Sequence, residues 1–81
     1  MSDSQSTGQL AKVSCPFFLP ERQAEALSLA ALGLTILGIA HQMQIKPRTV
    51  RAHLQRTRRS LGALNTTHAV AIAMKYELIE I

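Results

Sequence analysis

The sequence predicts a small all-α domain of four helices. No segment alternates apolar and polar residues with a period of two, so no β-strand is expected. Runs of good helix formers are instead separated by glycine, proline and capping residues, which are typical of helix ends. The chain has 81 residues, and 47% of them are hydrophobic. This hydrophobic content is enough for one compact core, and the chain is too short for two domains.

The first helix is predicted over residues 20–32, where alanine and leucine dominate. Pro20 suits the first helical position, because the N–H that proline lacks would have no partner there. Gly33 then offers the C-terminal stop, since glycine readily adopts the left-handed backbone found at that point.

The segment before the first helix is predicted to divide into an arm and an apolar lead-in. Residues 1–16 are mostly polar and show no periodicity, so we expect a flexible arm. Phe17 and Phe18 are expected to cover one end of the core. The folded domain is therefore placed at residues 17–81.

Two further helices follow, separated by a tight break. The second is short, over residues 36–43, with Thr35 as its N-cap. The third is predicted over residues 47–61, where Pro47 takes the first helical position and Gly62 ends the helix. A loop then leads to the last helix.

The fourth helix is predicted over residues 67–78, capped by Thr67, and it is apolar nearly all round. One side must face the core, and a chain this short has nothing left to cover the other, which favours an interface between two copies. The dimer-interface candidates on that outer side are His68, Ala71, Ile72, Lys75 and Leu78. The alternative is that Met74, Tyr76 and the terminal Leu78-Ile79 fold back over the core.

The charges are strongly segregated along the chain. Nine Lys and Arg residues against five Asp and Glu residues give a net charge of +4. No acid lies between Ala26 and Tyr76, and seven basic residues fall in that stretch, six of them within residues 46–59. A basic stripe without carboxylates indicates a polyanionic partner, and the alternative is an ordinary solvated helix face.

The third helix combines a core face with a basic face. At about 100° per residue, one face collects Val50, Leu54, Thr57 and Leu61. The opposite arc collects Arg48, Arg51, Ala52, Gln55, Arg56 and Arg59. Such a helix suits the DNA major groove, which is about 12 Å wide and admits a helix. A short helix, a tight break and a longer basic helix form the helix-turn-helix arrangement.

Several short pieces of the sequence also agree, in order and spacing, with one known family. They are Gly33-Leu34-Thr35, Ile39-Ala40, Thr49-Val50-Arg51-Ala52-His53-Leu54, Leu61-Gly62-Ala63, Asn65 and Thr67-His68-Ala69-Val70-Ala71. Residues 18–79 thus resemble the LuxR-type (GerE-type) helix-turn-helix domain of bacterial transcription regulators, and the Arg58–Ala63 stretch is more similar to the quorum-sensing branch. The resemblance implies sequence-specific binding of duplex DNA by a dimer on inverted half-sites, paired through the fourth helix.

The resemblance also assigns roles to single residues. Arg51 and Gln55 occupy the family's base-reading positions. Ala52 could contact a thymine methyl group, and the alternative is that it is merely small and uncrowded. The alternative for Arg51 and Gln55 is contact with phosphate only. The phosphate-contact candidates, for which the alternative is solvated surface, are Thr35, Lys46, Arg48, Thr49, Arg56 and Arg59.

The sequence departs from the family at the second helix. The family usually has a phosphate-binding Lys and a capping Glu where this chain has Leu37 and Gly38. Ile36 and Leu37 are therefore expected to form a small exposed apolar patch. This keeps open a second function, a protein-interaction module that heterodimerises with or inhibits a full-length regulator or contacts RNA polymerase. Thr57 replaces an often aliphatic residue, and its hydroxyl needs a partner such as a carbonyl one turn back.

Nothing in the sequence indicates an enzyme, a metal or a cofactor. The three histidines His41, His53 and His68 lack metal-ligand spacing, and His53 is expected to pack at the edge of the core. Cys15 has no histidine or carboxylate placed to activate it. A lone thiol fits a reducing cytosol, and no apolar run approaches the ~18 residues of a membrane span. The expectation is a cytoplasmic regulator.

Overall fold

The computed structural model describes residues 17–80, which form four α-helices and no strand. The helices are α1 (Glu21–Ala31), α2 (Ile36–Met43), α3 (Pro47–Leu61) and α4 (Thr66–Lys75). The predicted all-α class is therefore confirmed. The expected arm, residues 1–16, lies outside the described residues.

The beginnings of two helices differ from the prediction. Pro20 is the N-cap of α1 and not its first helical residue, because its ψ of 150° is extended. Helix α4 is capped by Asn65 and not by Thr67, since Asn65 Oδ1 accepts a hydrogen bond from the N–H of His68 at 2.8 Å. Asparagine is among the strongest N-capping residues. The predicted cap of α2 is confirmed, with Thr35 Oγ1 accepting from the third residue of the helix at 3.1 Å.

All four helices end in the same type of turn. In each, a residue just past the helix adopts the left-handed backbone: Gly33, Gln44, Gly62 and Glu77, with φ of 96°, 59°, 65° and 59°. Past α4, the N–H of Leu78 donates to the carbonyl of Ala73 at 2.7 Å, and that of Glu77 donates to Met74 at 3.1 Å. This pair of bonds ends α4 at Lys75, three residues before the predicted end.

The core is built from one face of each helix and the C-terminal segment. Its fully buried apolar side chains include Leu27 of α1, Ile39 of α2 and Val50 of α3. The predicted core face of α3 is confirmed, because all four of its residues are buried. Helices α1 and α3 each pack against the other three, whereas α2 and α4 do not pack against each other.

The one buried polar side chain of the described core is satisfied internally. The Thr57 hydroxyl donates to the carbonyl of His53, one turn back, at 2.8 Å. It also lies 3.4 Å from Gln23 Oε1 on α1. The bond one turn back is the one expected from the sequence.

The two ends of the domain meet at an aromatic contact. Phe17 packs edge-on against Tyr76, with ring centroids 5.3 Å apart. Phe18 is 80% exposed, so the expectation that it also covers the core was wrong: Phe17 already fills the place beside Tyr76. Beyond α4 the chain folds back, and Ile79 is buried in the core.

Candidate nucleic-acid interface

The basic arc of α3 faces solvent along its length. The side chains exposed there are Arg48, Arg51, Gln55, Arg56 and Arg59, and Lys46 is exposed at the N-cap position. Ala52 and Thr49 are half-buried. The arc lies opposite the buried face because apolar and polar residues recur along the sequence with the period of the helix. The long polar side chains are thus free to reach a ligand laid along the helix.

Thr35 is exposed and already has a structural role. Its hydroxyl oxygen accepts the capping bond at the start of α2. A hydroxyl that accepts one bond can still donate its proton to another oxygen. Thr35 therefore remains able to donate to a phosphate.

The turn between α2 and α3 is tied to α1 by Arg22. Its Nη2 donates to the carbonyl of Met43, the last residue of α2, at 3.2 Å, and its Nη1 donates to Glu25 at 2.8 Å. A cation at the C-terminal end of a helix is favourable, because that end carries partial negative charge. Arg22 thus helps to fix where α3 begins. Sequence reasoning missed this residue, because the contact joins positions 21 residues apart.

A shallow groove of about 330 Å³ lies on one flank of α3, between the first turns of α2 and α4. It is lined by Ile36, Arg51, Leu54, Gln55, Arg58 and Thr66. Arg58 is half-buried, whereas Arg51 and Gln55 are exposed. Arg58 and Thr66 were not among the residues that the sequence predicted for the interface. The available signal was the spacing of seven residues between Arg51 and Arg58, which places both on one line of the helix.

His53 lies at the edge of the core, as expected. Its Nδ1 is buried and has no hydrogen-bond partner within residues 17–80. Burial, and then the positive charges of Arg56 and Arg22, lower the pKa of His53 below its usual value. Its neutral form is therefore favoured, which agrees with a packing role.

The outer side of α4 is smaller than the sequence indicated. His68, Ala71 and Lys75 are exposed. Ile72 and Leu78, also expected on that side, are half-buried and pack against the core. Leu78 lies past the end of α4, where the turn brings the chain back beside α1.

His68 is partly engaged within its own loop. Its Nδ1 accepts a hydrogen bond from the N–H of Leu64 at 3.0 Å. The ring is thus held against the loop that precedes α4, and its other nitrogen remains available.

The expected apolar patch on α2 is reduced to one residue. Leu37 is 68% exposed. Ile36 is half-buried against the core, so its expected exposure was wrong. Its side chain forms part of the groove floor instead.

Two features are absent from the part of the chain that the structure describes, a metal-binding cluster and a membrane-spanning helix. No group of three His, Cys, Asp or Glu side chains is placed to hold a metal ion there. Among the four described helices, none combines the length and the hydrophobicity of a membrane-spanning segment. Cys15 lies outside the described residues.

The sequence of the chain matches one family of known proteins. Residues 18–73 match the model of the family described as bacterial regulatory proteins, luxR family. The transcriptional activator protein BjaR1 of Bradyrhizobium diazoefficiens is 39% identical over 61 residues, which cover 75% of this chain and 25% of that protein. The probable transcriptional regulatory protein NarL of Mycobacterium tuberculosis is 37% identical over 62 residues, covering 76% of this chain and 29% of that protein.

A solved structure shares the fold. The structure of the transcription factor GerE superposes with a TM-score of 0.74 at 24% identity, covering 76% of this chain and 92% of that chain. The curated relatives are much longer, since the chain spans only about a quarter of their length.

Proposed function

Since the chain belongs to the luxR family of bacterial regulatory proteins, we propose that it binds duplex DNA sequence-specifically as a homodimer and thereby regulates transcription. The observation that carries the proposal is the two-sided character of α3. One face is buried in the core, and the other presents exposed arginines with no carboxylate among them. The proposal places the protein in the cytoplasm, and it requires neither a cofactor nor a catalytic residue.

Sequence is read from α3 lying in the major groove. Arg51 donates two parallel hydrogen bonds to a guanine, and Gln55 makes the corresponding pair with an adenine. The two residues are one turn apart and both exposed, so they reach neighbouring base edges. Ala52 between them lies against a thymine methyl group.

Affinity comes mainly from the DNA backbone. The phosphates are met by Thr35, Lys46, Arg48, Thr49, Arg56 and Arg59. Each neutralised phosphate releases a condensed counterion, which favours binding without reading sequence. Arg22 contributes indirectly, because it anchors the end of α2 from which α3 starts.

Selection from a random duplex pool at a stated salt concentration tests the proposal. We expect enrichment of an inverted repeat whose half-sites are about one helical turn apart, roughly 34–36 Å between centres. Enrichment of a single half-site would contradict dimeric binding. An unenriched pool would contradict sequence-specific readout altogether.

The homodimer is proposed to form through the outer side of α4. Its exposed members are His68, Ala71 and Lys75, and Ala71 is the small residue at the centre. Ile72 and Leu78 border this side with the part of each side chain that the core leaves uncovered. Met74 supports the assignment, because a large apolar side chain on the same helix is 48% exposed. Exposed apolar surface of this kind is typical of an interface.

Substituting Ala71→Glu is expected to abolish the dimer while leaving the helix content unchanged. The side chain is exposed, so a carboxylate there does not enter the core but repels the same charge on the second copy. Sedimentation velocity and circular dichroism measure the two properties. Ala71→Ser is the matched control and should remain dimeric. Ile72→Glu is a poorer test, because Ile72 packs against the core. A dimeric Ala71→Glu protein would place the interface elsewhere.

One observation favours the second function, a protein-interaction module. Leu37 is exposed where the resemblance leads one to expect a phosphate-binding lysine. In that case the module would heterodimerise with or inhibit a full-length regulator, or contact RNA polymerase, through Leu37 and the edge of Ile36. The selection experiment separates the two functions, because the module would enrich no sequence.

A further inference from the structure

We infer that the groove between α2, α3 and α4 binds one phosphodiester group of the DNA backbone, with Arg58 as its principal cation. The inference rests on the proposed function and adds to it a contact that the sequence did not indicate. It assigns Arg58 to phosphate, distinct from base reading by Gln55.

The side chains around the groove suit a phosphate group. The floor is apolar, formed by Ile36 and Leu54, and the rim carries Arg51, Arg58 and Thr66. A guanidinium presents a rigid fork of donors that matches phosphate oxygens. The Thr66 side chain supplies a hydroxyl donor from the first turn of α4. An apolar floor keeps water away from one side of the anion and so strengthens its attraction to Arg58. Arg51 adds positive charge beside the groove while its own donors remain directed at a base.

The charge of the groove has no internal counterpart. No acid occurs between Ala26 and Tyr76. Among the described residues, neither Arg51 nor Arg58 forms an ion pair. Their two guanidinium charges are therefore available to a ligand. A groove with two unpaired cations attracts an anion before any specific contact forms.

The position of the groove fits a backbone strand better than a base. A helix lying in the major groove has one sugar-phosphate strand along each flank. Arg56 lies towards one flank, beside His53. The groove lies on the other flank, facing α2 and α4. Arg58 is half-buried at this edge and not at the centre of the exposed arc, so it meets the strand that borders the groove.

Phosphate contacts set the register of a protein on the duplex. A phosphodiester held by Arg58 fixes the position of the neighbouring DNA strand along α3. Arg51 and Gln55, on the same line of the helix, are then opposite defined base edges. Arg58 therefore acts as a positioning residue for the bases that its neighbours read.

A scan of neutralised phosphates tests the inference. Duplexes carrying the selected site are prepared with single phosphates replaced by uncharged methylphosphonates, one position at a time. Arg58→Ala is expected to weaken binding to the unmodified site roughly tenfold to a hundredfold, the range for hydrogen bonds to charged groups. At one position per half-site, neutralisation should weaken the wild-type protein and leave Arg58→Ala unaffected. The base preferences of the variant should be unchanged.

Three further proteins control the test. Arg58→Met keeps the apolar stem while removing the charge, and should repeat the Arg58→Ala result if the fold is intact. Arg58→Lys should restore part of the affinity, since it restores the charge without the fork. Arg59→Ala, which lies outside the groove, should lose its sensitivity at a different phosphate.

The outcomes separate the inference from the proposed function. If the wild-type protein binds and Arg58→Met shows the same dependence on each neutralised phosphate, the phosphate site is overturned and the proposed function is not. A change in preference at one base pair would overturn it in favour of base reading by Arg58. A wild-type protein that binds no duplex would overturn the proposed function itself.

Discussion

Raising the salt concentration from 50 to 200 mM is expected to weaken DNA binding by about 10³-fold to 10⁵-fold. The slope of log K against log[salt] is about −0.9 per neutralised phosphate, and proteins with six to ten such contacts lose affinity on this scale. In a dimer, each subunit contributes the same four proposed phosphate-contact cations, which are Lys46, Arg48, Arg56 and Arg59. All four side chains are exposed. Fluorescence anisotropy with a labelled duplex over a salt series measures the slope.

Single-charge variants check the origin of that slope. Lys46→Ala and Arg59→Ala should each make it shallower by about 0.9 per subunit. Glu80→Gln is a control, because it changes one exposed charge on the C-terminal segment beside α1 and should leave the slope unchanged. A flat salt response would contradict a basic arc that follows a phosphate backbone.

Removing either base-reading side chain should cost about 1–3 kcal/mol at the selected site and relax the preference at one base position. Arg51 and Gln55 are exposed one turn apart on α3. Each bidentate contact that is lost makes all four bases at that position nearly equivalent. The measurement is the affinity of Arg51→Ala and Gln55→Ala for every single-base variant of the site.

Arg59→Ala is the control for readout. It lies further along α3, where a phosphate contact is proposed, and it should weaken all sequence variants by nearly the same factor. If Arg51→Ala and Gln55→Ala do the same, α3 is an electrostatic anchor and the base-reading assignment is wrong. The protein-interaction module would then become the better explanation of the exposed Leu37.

Local signals predicted most of the fold. Thr35 and Pro47 marked the starts of α2 and α3, and Gly33 and Gly62 marked the ends of α1 and α3. These residues succeed as predictors because the preference is their own: a hydroxyl that caps, a ring that fixes φ, a backbone without Cβ. The period of the apolar residues then identified the buried face of α3.

Features that depend on contacts between distant residues were not predicted. The end of α4 was missed for a local reason, because Glu77 adopts a left-handed backbone for which glutamate gives no signal. Phe17 and not Phe18 faces the core, because Tyr76, far along the chain, selects it. The link from Arg22 to the end of α2 likewise exists only once the helices have packed.

The candidate site was likewise predictable from the sequence only in part. The basic arc of α3 could be anticipated because it belongs to one helix and repeats with its period. The groove could not, since Ile36, Arg58 and Thr66 belong to three helices and only the packing brings them together. The roles of these residues in binding remain predictions.

The lack of packing between α2 and α4 has a consequence for how such a domain can diversify. Substitutions at sites that share no contacts are close to additive in their effects on stability. Changes at Ala71 and Lys75, which are exposed on the side of α4 where copies are proposed to pair, therefore need no compensating change in α2. Dimerisation specificity and DNA affinity could therefore change in separate evolutionary steps, with the fold remaining stable after each one.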